Sequence, residues 1–252
     1  MVQHCYNYVT FLGRQLMKDE IYRSVKRGAF TPAVTVAKQM EEEDTGYIIR
    51  EVVEKLLAGN FMDNTYLMGF GYQLWQNGGQ DVVRNRFPAA FKWLYAGDNV
   101  KIVNKQYNQA LKLANTLDKD SHRVVLGVNR VVVHDTLNWH FKPKWFDSGN
   151  GVLFKLYNVA RDMYLKSEAE KDNLGDRQIF GSPEADTNEY KYMVEPFTEN
   201  GDLAFYIINY EYRQGLKLGV NTDVDGDRIV YGHNGDLRAE GEDRFKWIVT
   251  EW

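Results

Sequence analysis

The chain is 252 residues long, enough for one large domain or two ordinary ones, with 44% hydrophobic and 14% aromatic residues and a formal net charge of −4. Its 31 basic and 35 acidic side chains form no basic patch, which excludes the electrostatic footprint of a nucleic-acid binder. No run of about 18 apolar residues exists to cross a membrane as a helix, and the single cysteine, Cys5, gives no internal disulfide framework.

Taken in order, the chain starts with Tyr8-Val9-Thr10-Phe11-Leu12, a run too short and too polar for a secretory signal. A signal has either been removed or never existed. No Asn-x-Ser/Thr sequon occurs, so N-glycosylation is not expected. Residues 14–96 then read as helices. Leu16, Ile21, Tyr22 and Val25 recur at helical spacing before Gly28. Thr31-Pro32 predicts an N-cap with Pro at the first helical position, and the acidic run Glu41–Asp44 closes that segment. Thr45 is expected to cap the next helix, whose stripe is Ile48, Ile49, Val52, Val53, Leu56 and Leu57, with Gly59-Asn60 as the stop. Another helix runs from Asn64 to Trp75, a short one lies around Asp81–Arg84, and the last covers Ala89–Tyr95. The expectation is an all-α helical bundle of about five helices over residues 1–97. Its stripe is either core or, with Ile49, Val53, Leu56, Trp75 and Trp93, the wall of a lipid cleft; stripes at this spacing are usually core. Arg84 is expected to bond a carboxylate or carbonyl that ties the domains together.

Residues 98–252 contain one unit three times, at about 99–145, 152–196 and 203–252. Asn104 to Arg123, Asn158 to Arg177 and Asn209 to Arg228 are each 19 apart. In each copy a Leu follows the Asn by 7 positions (Leu111, Leu165, Leu216) and a Gly by 23 (Gly127, Gly181, Gly232). Period-two runs such as Phe205 with Ile207, Phe154 with Leu156 and Val100 with Ile102 argue strands with one buried face. Each shared Asn stands where a strand stops, as a turn residue bonding its own backbone would. About four short strands per copy make about twelve. One copy cannot bury its apolar face, whereas three closed about a pseudo-threefold axis can. The expected fold class is therefore α+β multidomain: an N-terminal all-α bundle followed by a C-terminal β-trefoil. A three-bladed open array is the competitor and would leave edges exposed.

Tyr72-Gln73-Leu74-Trp75, Gly79-Gln80-Asp81-Val82-Val83-Arg84 and Phe87-Pro88 with Phe91, ahead of the repeated strand–Asn–Leu-Lys units, form a fairly specific string. Over roughly residues 15–252 the chain resembles the microvitellogenin-like, low-molecular-mass "30 kDa" lipoproteins of lepidopteran haemolymph. The resemblance implies a helical domain before a trefoil, secretion into haemolymph and uptake into eggs as yolk protein. It further implies carriage of lipid or a small apolar ligand, carbohydrate binding, and in some relatives capture of peptide cytokines.

Asn221-Thr222-Asp223-Val224-Asp225-Gly226-Asp227 has alternate oxygen ligands like a calcium loop, but its twelfth position is Gly232 and not a bidentate Glu. A hairpin turn explains it better. The lectin triplet Gln-x-Trp has only Val124–Leu126, Gln178–Phe180 and Ile229–Tyr231 as counterparts, and only the second keeps its Gln. A sugar site built from Asp225, Asp227, Tyr231, His233 and Asn234, with Asp236 nearby, is set against a solvated loop. His134 and His140 flank Trp139 without a third metal ligand on their face, so no metal site is assigned. No nucleophile–base order appears, and neither catalytic residues nor a cofactor are expected. Three functions follow: a monomeric, non-enzymatic storage and carrier protein of insect haemolymph and egg; a carbohydrate-binding module; or a peptide-cytokine-binding regulator.

Overall fold

The computed structural model describes residues 2–43, 45–117, 121–129, 135–145, 151–183 and 185–252. It divides into two compact units, one made of the described residues up to Lys92 with Gly151, the other of the described residues from Trp93 onward.

The first unit is helical: α1 (Val2–Lys26), α2 (Phe30–Glu42), α3 (Tyr47–Leu57), α4 (Phe61–Gln76) and α5 (Gln80–Arg86); α6 (Ala89–Ala96) follows. Helix starts depart from expectation for local reasons. Gly28, at φ +68°, ends α1, and α2 begins at Phe30 from Ala29 without a side-chain cap. Thr31 and Pro32 thus fall inside the first turn, where a missing N–H is harmless. Thr45 does not cap α3; its hydroxyl donates back to Met40 O at 3.0 Å. The helix after α3 starts earlier than Asn64, because Asn60 caps it, its Oδ1 accepting from Met62 N and Asp63 N at 3.0 and 3.1 Å. Asn64 instead closes α3, donating to the Leu56 and Leu57 carbonyls. The stripe Ile48, Ile49, Val52, Val53, Leu56 and Leu57 is wholly buried against α1, α4 and α5. At Gly69 a Cβ would stand 2.8 Å from the Phe30 ring, so glycine there lets α2 seat on α4.

The second unit carries the strands: β1 (Val100–Asn104), β2 (Gln109–Leu117), β3 (Arg123–Asn129), β4 (Trp139–Trp145), β5 (Val152–Asn158), β6 (Met163–Ser167), β7 (Arg177–Ser182), β8 (Tyr192–Glu199), β9 (Asp202–Asn209), β10 (Gly215–Leu218), β11 (Arg228–His233) and β12 (Trp247–Glu251). A short helix, α7, spans Leu237–Glu240. Among the described residues all twelve strands join one antiparallel sheet. β1 pairs with β4, β4 with β5, β5 with β8, β8 with β9, β9 with β12, and β12 with β1, which closes the sheet on itself. The hairpins β2–β3, β6–β7 and β10–β11 are joined to one another through β3–β7, β7–β11 and β11–β3.

This corrects the expected fold class. The architecture is a closed antiparallel β-barrel with added strands and N-terminal helices, in place of a helical bundle followed by a β-trefoil. Hairpins of different copies hydrogen-bond to each other, so no copy is a unit in itself. The helices range from 25 residues in α1 to 7 in α5, unlike the matched lengths of a bundle. The repeat showed which strands exist; which strand of which copy each one pairs with is decided by tertiary packing.

The repeat is nevertheless written into the bonding. Asn104, Asn158 and Asn209 are fully buried. Each donates through Nδ2, at 2.8 Å, to the middle carbonyl of a 3-10 turn belonging to another copy: Arg244, Thr136 and Glu189 in turn. Asn104 and Asn209 also accept at Oδ1 from the amide three residues on, the local turn bond expected of them. Trp139 and Trp247 each donate their indole N–H at 2.9 Å to the repeat leucine carbonyl, Leu111 and Leu216.

Candidate functional site

The β6–β7 and β10–β11 connections make the same turn twice. Asp172 Oδ1 accepts from Leu174 N and Asp176 N at 2.8 and 2.9 Å; Asp223 Oδ1 accepts from Asp225 N and Asp227 N, both at 2.9 Å. Gly175 and Gly226 both sit at φ +81°, a conformation an L side chain rarely adopts. The calcium-like spacing at 221–227 is therefore that of a turn whose first carboxylate binds its own backbone. The arginine after each turn lies over a tyrosine from another copy, Arg177 over Tyr212 and Arg228 over Tyr107, both at 3.9 Å. Gln214 and Gln109 fasten the glycines by donating to Gly175 O and Gly226 O at 2.9 Å.

Between the two turns lies a cavity of about 390 Å³. Asp176 and Lys217 form its floor, Asp227 and Tyr231 line it, and Leu174, Val220 and Ile229 offer exposed apolar rim. Lys217 Nζ donates to Asp176 Oδ2, and both side chains are buried. Behind them stands His233. Its Nδ1 is 3.1 Å from Lys217 Nζ and 3.2 Å from Asp176 Oδ1, and its Nε2 faces Glu240 at 2.8 and 3.0 Å. The His233 ring stacks on Phe245 at 4.7 Å. Burial pushes the Asp176 carboxyl up, but Lys217, the Asn234 amide and His233 together outweigh it and hold the group below its ordinary value. Asp227 goes the other way: burial raises it, and Lys112 does not offset burial together with Asp223 and Asp225. Tyr231 is raised by burial, then by Asp172 and Asp176.

The expected sugar residues are thus split. Asp227 and Tyr231 share the cavity. His233 and Asn234 sit one layer behind it, bonded to Asp176, the latter through its backbone amide at 3.1 Å. Asp225 is exposed at its turn and lies outside the cavity lining. Asp236 caps α7, accepting from Arg238 N at 3.0 Å. Sequence reading missed Asp176 and Lys217, although the shared Gly-Asp-Arg and Leu-Lys pairs marked them as counterparts of Asp227 and Lys112.

Of the expected lipid-cleft residues, Ile49, Val53 and Leu56 are fully buried in the helical core. Trp75 is half-buried in the same unit, with the Arg84 guanidinium 5.3 Å from its ring. Trp93 belongs to the second unit. Arg84 also pairs with Asp81 at 3.1 Å, so both these partners lie in its own unit. A second cavity, of about 420 Å³ between α2 and α4, is lined by Thr31, Val34, Thr35, Lys38, Gln73 and Asn77 among others. His140 bonds Asn99 Oδ1, and its pKa is lowered by burial and then by Lys142, with Asp98 opposing. His134 lies outside the described residues.

The family model described as "Lepidopteran low molecular weight (30 kD) lipoprotein" matches residues 15–251. Microvitellogenin of Manduca sexta is 36% identical over 232 residues, covering 92% of this chain and 91% of that protein. The low molecular mass lipoprotein PBMHP-12 of Bombyx mori is 32% identical over 238 residues, covering 94% and 88%. Among solved structures, the SDF2-like protein from Arabidopsis thaliana superposes with a TM-score of 0.51 at 12% identity, over 62% of this chain and 93% of that one, a likeness of fold alone. With the helical unit and the barrel both inside the match, the chain belongs to the lepidopteran low molecular weight (30 kD) lipoprotein family.

Proposed function

We propose that this chain is a secreted storage protein of insect haemolymph and egg that acts by accumulating, without catalysis. The observation that carries the reading is the match to microvitellogenin along 92% of the chain, which takes in both compact units. A storage role asks only for a stable, soluble fold, and the closed sheet with few exposed edges suits it. Quantifying the protein in haemolymph and in maturing eggs tests this: accumulation in both is expected, and confinement inside one cell type would sink it.

Lipid carriage is the second part of the proposal and rests on the name its relatives bear. The stripe of α3 is closed core, so a lipid would have to sit elsewhere than among Ile49, Val53 and Leu56. Solvent extraction of native protein followed by mass spectrometry decides it; repeated preparations free of lipid leave storage alone.

A second reading, sugar binding, is favoured by the cavity between the congruent turns. Asp227 and Tyr231 offer there a carboxylate and an aromatic face, the pairing that grips hydroxyls and stacks on a pyranose ring. Calorimetric titration with simple sugars and short glucans tests it, and flat titrations remove it.

A further inference from the structure

The hairpin between β8 and β9 turns on Asn200 and Gly201, with Glu199 opposite Asp202 as its last pair. Both turn residues stand at positive φ, +54° and +89°, as a primed two-residue turn requires, and Asn-Gly is a sequence that favours it. The same dipeptide is chemically labile, because its glycine offers an unshielded main-chain nitrogen to the carboxamide carbon of the residue before it. Asn-Gly occurs at 77, 150, 200 and 234. Asn150 lies outside the described residues.

The fold holds the other pairs differently. Asn77 is tied at both ends: its Nδ2 donates to Gln73 O at 2.7 Å and to Gln73 Oε1 at 3.1 Å, and its carbonyl accepts from Lys38 Nζ at 2.9 Å. Asn234 N donates to Asp176 Oδ1 at 3.1 Å. Beside Gly235 the space is filled by Glu240 Oε1 and His233 Nε2, 2.1 and 2.4 Å from where a Cβ would stand. Asn200 and Gly201 are exposed, and a Cβ on Gly201 would meet nothing within 4 Å. Among the described residues neither the Asn200 carboxamide nor the Gly201 N–H has a hydrogen-bond partner. Exposed loop tips of this kind open locally at little cost.

We propose that Asn200 is a site of spontaneous deamidation in the folded chain. Hydroxide removes the Gly201 amide proton, and the nitrogen's electron pair forms a bond to Asn200 Cγ. The Cγ–Nδ2 bond breaks, and the nitrogen leaves as ammonia with a proton from water. Water then opens the resulting succinimide at either carbonyl, giving aspartate or isoaspartate. One water is consumed and one ammonia released, with nothing oxidised or reduced. Either product sets a new carboxylate between Glu199 and Asp202. Isoaspartate also adds a carbon to the main chain, which the primed turn does not admit. The change falls beside Glu199, which accepts from Lys105 and, at 2.7 Å, from Lys246, and so ties the hairpin to residues flanking β1 and β12. The site is independent of the storage and sugar readings. In any pool of the protein held for long, the converted fraction records its age.

The test is incubation of the full chain in mildly alkaline buffer, native and in urea, with peptide mass spectrometry that separates the asparagine, aspartate and isoaspartate forms at 77, 200 and 234. In the native chain Asn200 is expected to convert at least about tenfold faster than Asn77 and Asn234. In urea the three rates should converge, because the dipeptide is the same and only the fold distinguishes them. Gly201→Ala should slow conversion at Asn200 by about tenfold, since a methyl group shields the attacking nitrogen. The comparison of native with urea-unfolded chain needs no variant and decides the matter even where Gly201→Ala, strained at its positive φ, does not fold. Equal rates at the three sites in the native chain overturn the proposal, and so does an Asn200 that converts only in urea. Aspartate without isoaspartate would mean direct hydrolysis and would overturn the ring-closing route.

Discussion

Lys217 on β10 donates to Asp176, which ends the turn before β7, with the two side chains only 9% and 6% exposed. The pair joins the third copy of the repeat to the second. Removing one partner of a buried pair strands a charge, so Asp176→Ala is expected to destabilise the fold by about 3 kcal/mol or more, measured by urea unfolding. Asp176→Ala combined with Lys217→Met should recover part of that loss. The pH dependence has a definite sign. Asp176 has a folded-state pKa below its unfolded value, so its contribution is present above the unfolded value and is lost as pH falls through the folded one. Melting curves should therefore show the parent losing more stability than Asp176→Asn on acidification below about pH 4.

Much of this was legible beforehand, for identifiable reasons. The α3 stripe announced its own burial because helical periodicity needs no partner to be read. The Asn–Leu–Gly spacing announced twelve strands because turn chemistry is local. Strand partnership was not legible: Asn158 reaching Thr136 across 22 residues is a matter of closure, and the trefoil expectation failed at that level. Helix starts at Phe30 and Phe61 were missed because a glycine stop and an asparagine cap competed with Thr31 and Asn64. Asp176 and Lys217 were missed because each looks like an ordinary surface charge until the barrel brings them together.

The three repeat asparagines should not be equivalent. Asn104 and Asn209 each donate twice and accept once, whereas Asn158 donates to Thr136 and its buried Oδ1 has no partner. Asn209→Ala is expected to destabilise by about 2–3 kcal/mol and Asn158→Ala by about 1 kcal/mol, read from denaturant midpoints. Equal losses at the two sites would contradict this ranking.

Gly181 and Leu113 fit as a small–large pair from different hairpins. A Cβ on Gly181 would stand 2.5 Å from Leu113 Cδ1, in a part of the core with no exposure at Leu113. Gly181→Ala should destabilise by about 1–3 kcal/mol through overpacking. The double variant with Leu113→Ala should be more stable than the sum of the single losses, a coupling a double-mutant cycle measures directly. Strict additivity would show that the clash is relieved elsewhere.

If a sugar occupies the cavity beside Tyr231, its grip should weaken in mild acid. Asp227 is held above its ordinary value by burial, so its carboxylate is neutralised earlier on acidification than that of an exposed aspartate. Affinity should fall as pH drops through that raised value, and Asp227→Asn should flatten the profile. Tyr231→Ala should lower affinity by about tenfold or more with little change in melting temperature. A pH-independent affinity in the parent would remove Asp227 from the contact.

The pairing of β1 with β12, running from Val100 opposite Glu251 to Asn104 opposite Trp247, has a consequence for biogenesis. On the ribosome, β1 emerges first of all the strands and must wait for the twelfth before that flank is satisfied. The helices depend mainly on neighbours near in sequence and can consolidate early, while the barrel's seam stays open through most of translation. A nascent chain stalled before Trp247 would present a sticky, half-zipped sheet to the chaperones that meet it. Premature stop codons late in the gene are therefore expected to yield aggregates and not shortened, functional protein.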